Sequence, residues 1–255
     1  MLNPELDRGN RNVAAFLAAT AGRQGAVADV PGGLAIAGPI PFPNGFVNAA
    51  VKTEGAAAVD PFLDGAQAFF AGQARAFVLW ALASDAELTD AAERRGARAD
   101  PITSVAMTVK APVPTPEATP ILDVTVVATD ADGEVFADLA ERGYGIPGLG
   151  WLLTNHDTFR APGTLWAIVW QGEQSLGVAC SFGTEDIGGV YYVGTPEEHR
   201  GRGVAAVATA YVTNAQFDRG ATSVVLQASA LGRGIYERLG FEPYDEYVSY
   251  VFPEP

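Results

Sequence analysis

The stretch Tyr191–Ala206, YYVGTPEEHRGRGVAA, decides the reading of this chain. It opens on aromatic and β-branched residues of strand type and breaks at Gly194-Thr195-Pro196. Thr195-Pro196-Glu197-Glu198 predicts one helical turn. Arg200-Gly201-Arg202-Gly203 then leads into a predicted helix over Gly203–Asp218, with Val204, Val207, Ala208, Tyr211, Val212 and Ala215 on one face. The first turn of a helix carries backbone N–H groups without intrahelical partners, at the positive end of the helix dipole. Glycines let a ligand approach that backbone, and two arginines add charge. The combination suits a phosphate or pyrophosphate. It equally suits a tight loop that needs glycine and carries solvated arginines, and the local pattern leaves both readings open.

Two nucleotide motifs are excluded by context. Gly201-x-Gly203-x-x-Ala206 has the letters of the dinucleotide fingerprint, but six residues, Thr195–Arg200, separate its glycines from the strand. The acidic residue expected roughly 20 positions further on is missing, since Thr222 and Ser223 stand there. A phosphate loop of the Walker type needs a lysine, and the only lysines are Lys52 and Lys110.

Downstream of this stretch, Ser223–Ala228 predicts a strand, Gly232–Leu239 a helix stopped by Gly240, and Phe241–Phe252 a final strand. Upstream lie strands at Leu165–Gln171, Gln174–Phe182 and Gly189–Thr195, helical segments at Glu134–Arg142 and Leu149–His156, and a strand at Ile121–Ala128. Before these comes KAPVPTPEATP, Lys110–Pro120, with four prolines, which block both helix and sheet. It reads as a linker over 111–120 between domains at 1–110 and 121–255. The first domain predicts a helix over Pro4–Ala21, strands at Leu34–Ala37 and Phe46–Thr53, and a helix with Asp60 as N-cap and Pro61 at its first position. A strand at Ala76–Leu82, a capping box Ser84–Glu87 opening a helix that ends at Gly96, and a strand at Ile102–Val109 follow. Both halves thus end strand–helix–strand–helix–strand. Glu93-Arg94-Arg95-Gly96 parallels Glu237-Arg238-Leu239-Gly240, a match too short to establish duplication by itself.

Composition narrows the partners. Of 255 residues, 48% are hydrophobic and 18% charged, the profile of a folded chain rather than a disordered one. The net charge of −14 argues against nucleic-acid backbone binding. The residues after Thr119 hold 18 acidic and 7 basic side chains, so Arg200 and Arg202 stand on an acidic background. No apolar run approaches the ~20 residues that span a bilayer, and the charged start MLNPELDRGNRN does not read as an export signal, so a cytoplasmic protein is expected. The single cysteine, Cys180, and two histidines, His156 and His199, exclude an intrachain disulfide and a Cys- or His-rich metal centre.

The segment Arg200–Ala205 resembles the [Gln/Arg]-x-x-Gly-x-[Gly/Ala] signature of the GNAT-superfamily N-acyltransferases. LQASALGRGIYERLGF, with Tyr236 and Gly240-Phe241, is similar to that superfamily's next strand, helix and closing segment. The likeness covers roughly Ile121–Pro255. The first half resembles the degenerate partner domain of tandem members. The resemblance implies an α+β fold of two GNAT-like domains, each a mixed, mostly antiparallel sheet flanked by helices. It implies acetyl-CoA or another acyl-CoA as cosubstrate, no metal, and a small-molecule or peptide amine as acceptor, in a monomer or homodimer that binds neither nucleic acid nor membrane. Arg200, Gly201, Arg202, Gly203, Val204 and Ala205 would hold the pyrophosphate. Val193, Gly194 and Thr195 would pair with the pantetheine amides. Ser229 stands where many members carry an asparagine. Tyr236 aligns with a tyrosine that protonates the leaving thiolate; from the residues alone it reads as an aromatic packed under the last strand. The implied reaction is direct transfer of an acetyl group to a primary amine, the alternative being a non-catalytic acyl-CoA or metabolite sensor. Candidates for a general base are Glu185 and Asp186 at a strand turn and His156 and Asp157 after a helix.

Overall fold

A computed structural model describes residues 4–42, 44–117, 121–155 and 157–254. The chain forms two compact units. The first comprises the residues through Ala106 together with those from Pro243 onward, and the second runs from Met107 to Glu242. The predicted domains 1–110 and 121–255 therefore differ from the compact units at both ends: the division falls after Ala106, and residues 111–117, read as part of a linker between domains, lie within the second unit, where Val113 is buried and bonds the Asn214 side chain through both its N–H and its carbonyl. Residues 243–252 belong to the first unit because the last strand forms a ladder with that unit's sheet. Of the proline-rich segment, 111–117 is without helix or strand, as its prolines dictate, and 118–120 lie outside the described residues.

The first unit begins with α1 (Pro4–Ala19), then β1 (Ala26–Val30), β2 (Gly33–Ala37), β3 (Asn48–Lys52), α2 (Val59–Gly72), β4 (Phe77–Leu82), α3 (Ala86–Arg94) and β5 (Arg98–Ala99). A further strand, β6 (Ser104–Val109), runs across the division. The second unit holds β7 (Asp123–Val126), α4 (Asp130–Tyr144), α5 (Leu149–Asn155), β8 (Thr164–Gln171), β9 (Gln174–Thr184), β10 (Ile187–Gly194), α6 (Val204–Asp218), β11 (Ser223–Ala228) and α7 (Arg233–Arg238). The last strand is β12 (Glu242–Phe252).

The two units repeat one topology. In the first, β1-β2-β3 is an antiparallel meander, and α2 crosses from β3 to the parallel strand β4. In the second, β7-β8-β9-β10 is antiparallel, and α6 crosses from β10 to the parallel strand β11. In both units a helix, α3 or α7, follows the parallel strand. Thus α2, beginning at Val59, is the counterpart of α6, as the short end-of-helix match suggested. Each sheet is mixed, mostly antiparallel and flanked by helices.

Helix starts differ from the sequence reading in detail. Ala58, not Asp60, is the N-cap of α2, and Asp60 sits in its first turn. Asp85, not Ser84, caps α3 by accepting from the Leu88 N–H; the Ser84 hydroxyl donates to Asp245 instead. A true capping box occurs unannounced at α4, where Thr129 and Asp132 bond reciprocally. The first unit's core stacks Phe70, Phe77 and Phe252 at 4.4 and 4.6 Å, on a cluster with Phe62, Leu63, Leu79 and Leu88. The second unit buries Phe136, Trp166, Ile168, Val178 and Cys180. Cys180 is a buried apolar residue, as expected, and burial pushes its thiol up.

Candidate functional site

The second unit carries a cavity of about 590 Å³ at the C-terminal end of β10, between the start of α6 and the start of α7. Its position follows from the ladders. The parallel pairing of β10 with β11 runs from Ile187–Ser223 to Val190–Leu226 and stops, although both strands continue. On its other side, β10 carries a bulge between Tyr191 and Gly194, where Tyr192 takes a left-handed φ of 51°. The two central strands therefore part, and the cavity opens where they do.

Small residues make the approach possible. A side chain on Gly143, next to the end of α4, would put its Cβ 2.8 Å from the Thr195 nitrogen. One on Gly177 would come 2.5 Å from Val204 Cγ1 and 2.8 Å from the Gly194 carbonyl oxygen. Both glycines let α4 and β9 lie directly against the end of β10.

The cavity brings together Val193, Thr195, Arg200, Gly201, Gly203, Val204, Ala205, Ser229 and Tyr236 of the residues singled out by sequence. Gly194 lies behind this wall, and Arg202 is exposed beside it. The predicted turn is a 3₁₀ segment, Glu197–His199. Gly203 is the N-cap of α6 with φ 80°, and Gly201 has φ 78°, conformations that favour glycine. No side chain caps α6, so the N–H groups of its first turn face the cavity end. The arginines also brace the loop: Arg200 donates to the Thr195 and Gly143 carbonyls, and Arg202 to that of Glu198. Arg142 holds Glu198 from α4, and Glu198 is held below the usual carboxylate range by its own backbone hydrogen bond and by Arg142.

Tyr236, also in the cavity lining, is 8% exposed and its hydroxyl has no hydrogen-bond partner among the described residues. Burial pushes it up to about 12. Its ring packs edge-on to Phe241 at 6.1 Å, the packing contact read from the residues. Ser229 acts locally, its hydroxyl accepting from the Gly232 N–H at the start of α7.

Sequence reasoning missed Gly143, Tyr144, His199, Leu231, Ile235 and Arg238, which also line the cavity. Tyr144 is brought there by α4, whose register on β10 no local pattern announces. His199 is 6% exposed, and its Nδ1 has no partner among the described residues. The candidate bases fare differently. Glu185 and Asp186 form the β9–β10 turn, at the opposite end of β10 from the cavity, roughly 25 Å away for a strand of that length. Asp157 pairs with Arg160 beside a separate cavity near the start of α4. His156 lies outside the described residues.

Solved structures share this architecture from end to end. A GCN5-related N-acetyltransferase from Kribbella flavida superposes with a TM-score of 0.77 at 19% identity, over 98% of this chain and 96% of that one. The chain has the GNAT fold. A second GCN5-related N-acetyltransferase, from Sphaerobacter thermophilus, gives a TM-score of 0.62 at 16% identity over 98% of this chain and 94% of the other. A tandem GNAT protein from the clavulanic acid biosynthesis pathway gives 0.60 at 13%, over 98% and 97%. The family described as FR47-like protein matches residues 173–250, which include the Arg200–Ala205 loop and Tyr236. No curated protein matches the chain. Within the GNAT fold, the parted strands and the glycine loop fall in the second unit. In the first, the start of α2 carries Asp60 and Asp64, both bonded to Arg95. Among the described residues, no group of His, Cys, Asp and Glu could hold a metal ion, and no helix is long and apolar enough to cross a membrane.

Proposed function

We propose that the second unit binds an acyl-CoA, acetyl-CoA foremost, and transfers the acyl group to a primary amine by direct attack. One observation carries this reading. One cavity is lined by the uncapped start of a 15-residue helix, by two left-handed glycines and by a phenol that has no hydrogen-bond partner among the described residues. The GNAT fold of the chain and the FR47-like match over the same residues support it.

The loop Arg200–Ala205 takes the pyrophosphate on backbone N–H groups, with Gly201 and Gly203 leaving room above the main chain. Arg200 and Arg202 hold the loop in shape and lend it charge. The pantetheine amides pair with the edge of Val193, Gly194 and Thr195 that β11 leaves open, and Ser229 flanks the arm. The Val193 N–H polarises the thioester carbonyl. The amine nitrogen then bonds to the carbonyl carbon, the C–S bond breaks, and the proton lost from nitrogen is matched by one gained by sulfur. Tyr236 supplies that proton as general acid and is itself reprotonated at the end of the cycle. At about 12 its hydroxyl is fully protonated at neutral pH. It is a weaker acid than a thiol of pKa about 8.5, so its hydrogen bond first strengthens as charge builds on sulfur, the proton then passes to sulfur, and the phenolate left behind takes up the proton lost from nitrogen.

The acceptor is a small-molecule or peptide amine, and the setting is cytoplasmic. The first unit takes no acyl-CoA: Asp60 and Asp64 at the start of α2 present carboxylates, tied to Arg95, where a pyrophosphate would need N–H groups and open cations. The test is thiol release from acetyl-CoA with a mixed panel of amines, paired with calorimetric titration of acetyl-CoA. Amine-dependent release is the expected result. Binding without release for any amine would favour a non-catalytic acyl-CoA module, and no binding would refute the reading.

A further inference from the structure

Arg238 stands on the cavity wall with no task in the reaction scheme above. We propose that Arg238 receives the 3′-phosphate of CoA, so that the second unit selects free acyl-CoA over donors that lack this phosphate. The proposal rests on the acyl-CoA reading and adds to it the residue that reads the nucleotide end of the donor.

Three observations place Arg238 in this role. The first is where the cations stand. Seven basic side chains follow Thr119, all of them arginines. Arg142, Arg160 and Arg233 are ion-paired with carboxylates, and Arg219 stands at the C-terminal end of α6. The other three gather at one place: Arg200 and Arg238 line the cavity, and Arg202 is exposed beside it. Against 18 acidic side chains in the same stretch, such a gathering points to an anion.

The second observation is that Arg238 is uncommitted. It is exposed, and its guanidinium has no partner among the described residues. Glu237, the carboxylate on α7, is already held by Arg233 at 2.7 Å. Arg200 and Arg202, by contrast, are bonded to backbone carbonyls around the loop. The third is direction. Arg238 Nη1 lies 3.5 Å from where a Cβ on Gly234 would stand, so the side chain folds back one turn along α7 over that glycine. It runs toward Leu231, Gly232 and Ile235, which line the cavity with it. Beyond the loop, α6 contributes only Val204, Ala205 and Ala206 to the same cavity, and the alanines leave room beside the loop.

CoA carries two anionic groups on its nucleotide, the pyrophosphate and the 3′-phosphate. The loop and the first turn of α6 serve the pyrophosphate through backbone N–H groups. The 3′-phosphate brings about two further negative charges, and a guanidinium meets phosphate oxygens with two parallel N–H bonds. Because Arg238 is exposed, water and salt screen the pair. Its effect therefore lies at the low end for a charge-assisted hydrogen bond, about ten-fold in affinity.

The experiment is calorimetric titration of acetyl-CoA and of 3′-dephospho-acetyl-CoA into the full chain, for wild type, Arg238→Gln and Arg219→Gln. Wild type is expected to bind acetyl-CoA about ten-fold more tightly than the dephospho compound. Arg238→Gln brings acetyl-CoA down to the dephospho level, leaves the dephospho compound where it was, and so takes the ratio to about one. Arg219→Gln removes the same charge from the far end of α6 and keeps the wild-type ratio. Equal wild-type affinity for the two compounds overturns the proposal, and so does an unchanged ratio in Arg238→Gln. Equal weakening of both compounds in Arg238→Gln overturns it as well, because the guanidinium would then serve the pyrophosphate or the fold. Loss of the ratio in Arg219→Gln would mean that net charge and not position selects, and the proposal is wrong in its cause. If wild type binds neither compound, the acyl-CoA reading fails first and takes this inference with it; tight binding of both without a preference defeats the inference alone.

Discussion

Replacing Tyr236 by phenylalanine separates the two roles its position allows. The ring is 8% exposed, packed on Phe241, and its hydroxyl faces the cavity with no partner among the described residues. A buried hydroxyl without a partner costs about 1–3 kcal/mol. Because this one meets the cavity rather than the core, most of that cost is relieved, and Tyr236→Phe should change the stability of the ligand-free protein by between zero and about +1 kcal/mol. In a chain of this size that is a rise in Tm of roughly 0–4 °C. If the hydroxyl assists departure of the thiolate, kcat falls on the order of 100-fold, about 2.7 kcal/mol in the barrier. The Kd for acetyl-CoA stays within about three-fold, because the interaction belongs to the transition state. Activity and stability are thus expected to move in opposite directions. The assays are thiol release at saturating acetyl-CoA and thermal unfolding without ligand. A kcat within two-fold of wild type together with a Tm lowered by several degrees would refute the assignment and leave Tyr236 as a packing residue.

Three further outcomes follow from the site. Gly203→Asp, which places a carboxylate at the N-cap of α6, is expected to abolish stabilisation by acetyl-CoA in a thermal shift assay, whereas Gly203→Asn, with the same shape and the same positive φ but no charge, keeps most of it; equal behaviour of the two would mean that charge is irrelevant at this loop. Calorimetry is expected to give one acetyl-CoA per chain, since Asp60, Asp64 and Arg95 occupy the start of α2 with one another, and two equivalent sites would contradict this. Burial raises Tyr236 to about 12 and raises Tyr192 as well, so the native state holds these protons after the unfolded chain, near 10, has lost its own; stability from these groups is complete below pH 10 and drains away as pH rises through 12, and Tyr236→Phe should flatten part of that alkaline decline in denaturation midpoints measured between pH 9 and 12.

Much of this was legible in the residues because the signals are local. The helix at 204–218 follows from its apolar run and the glycines before it, although Tyr211, read as part of its apolar face, is exposed and Thr209, Thr213 and Gln216 are buried instead; the strand at 223–228 follows from its β-branched run, and the end of α7 from Gly240 with φ 95°. The loop Arg200–Ala205 was legible for the same reason: helix start, glycines and cations are adjacent in sequence. What escaped depends on partners far along the chain. Strand β1 has alternating half-buried and exposed residues of small size, too weak a pattern to announce itself without β2 beside it. Asp85 rather than Ser84 caps α3 because the Ser84 hydroxyl turns to Asp245 in the last strand. Tyr144 joins the cavity only because Gly143 meets Thr195 across the fold, a contact that no spacing within α4 encodes.

The pairing of Tyr247 with Leu82 and of Phe252 with Phe77 has a consequence for the life of the chain on the ribosome. The strand FVLWAL at 77–82 is among the most apolar in the protein, and the partner that completes its edge is made about 165 residues later. At ordinary elongation rates of roughly 5–20 residues per second, that edge waits on the order of 10–30 s for its neighbour. An unpaired apolar edge is a template for pairing with other chains. A polypeptide released before residue 243 would carry the same uncovered edge permanently, with the whole glycine loop and Tyr236 present and its first unit unfinished. Nonsense or frameshift products ending there should be retained by chaperones or aggregate, however intact their cofactor loop, so the quality check on this protein falls at residues 243–252.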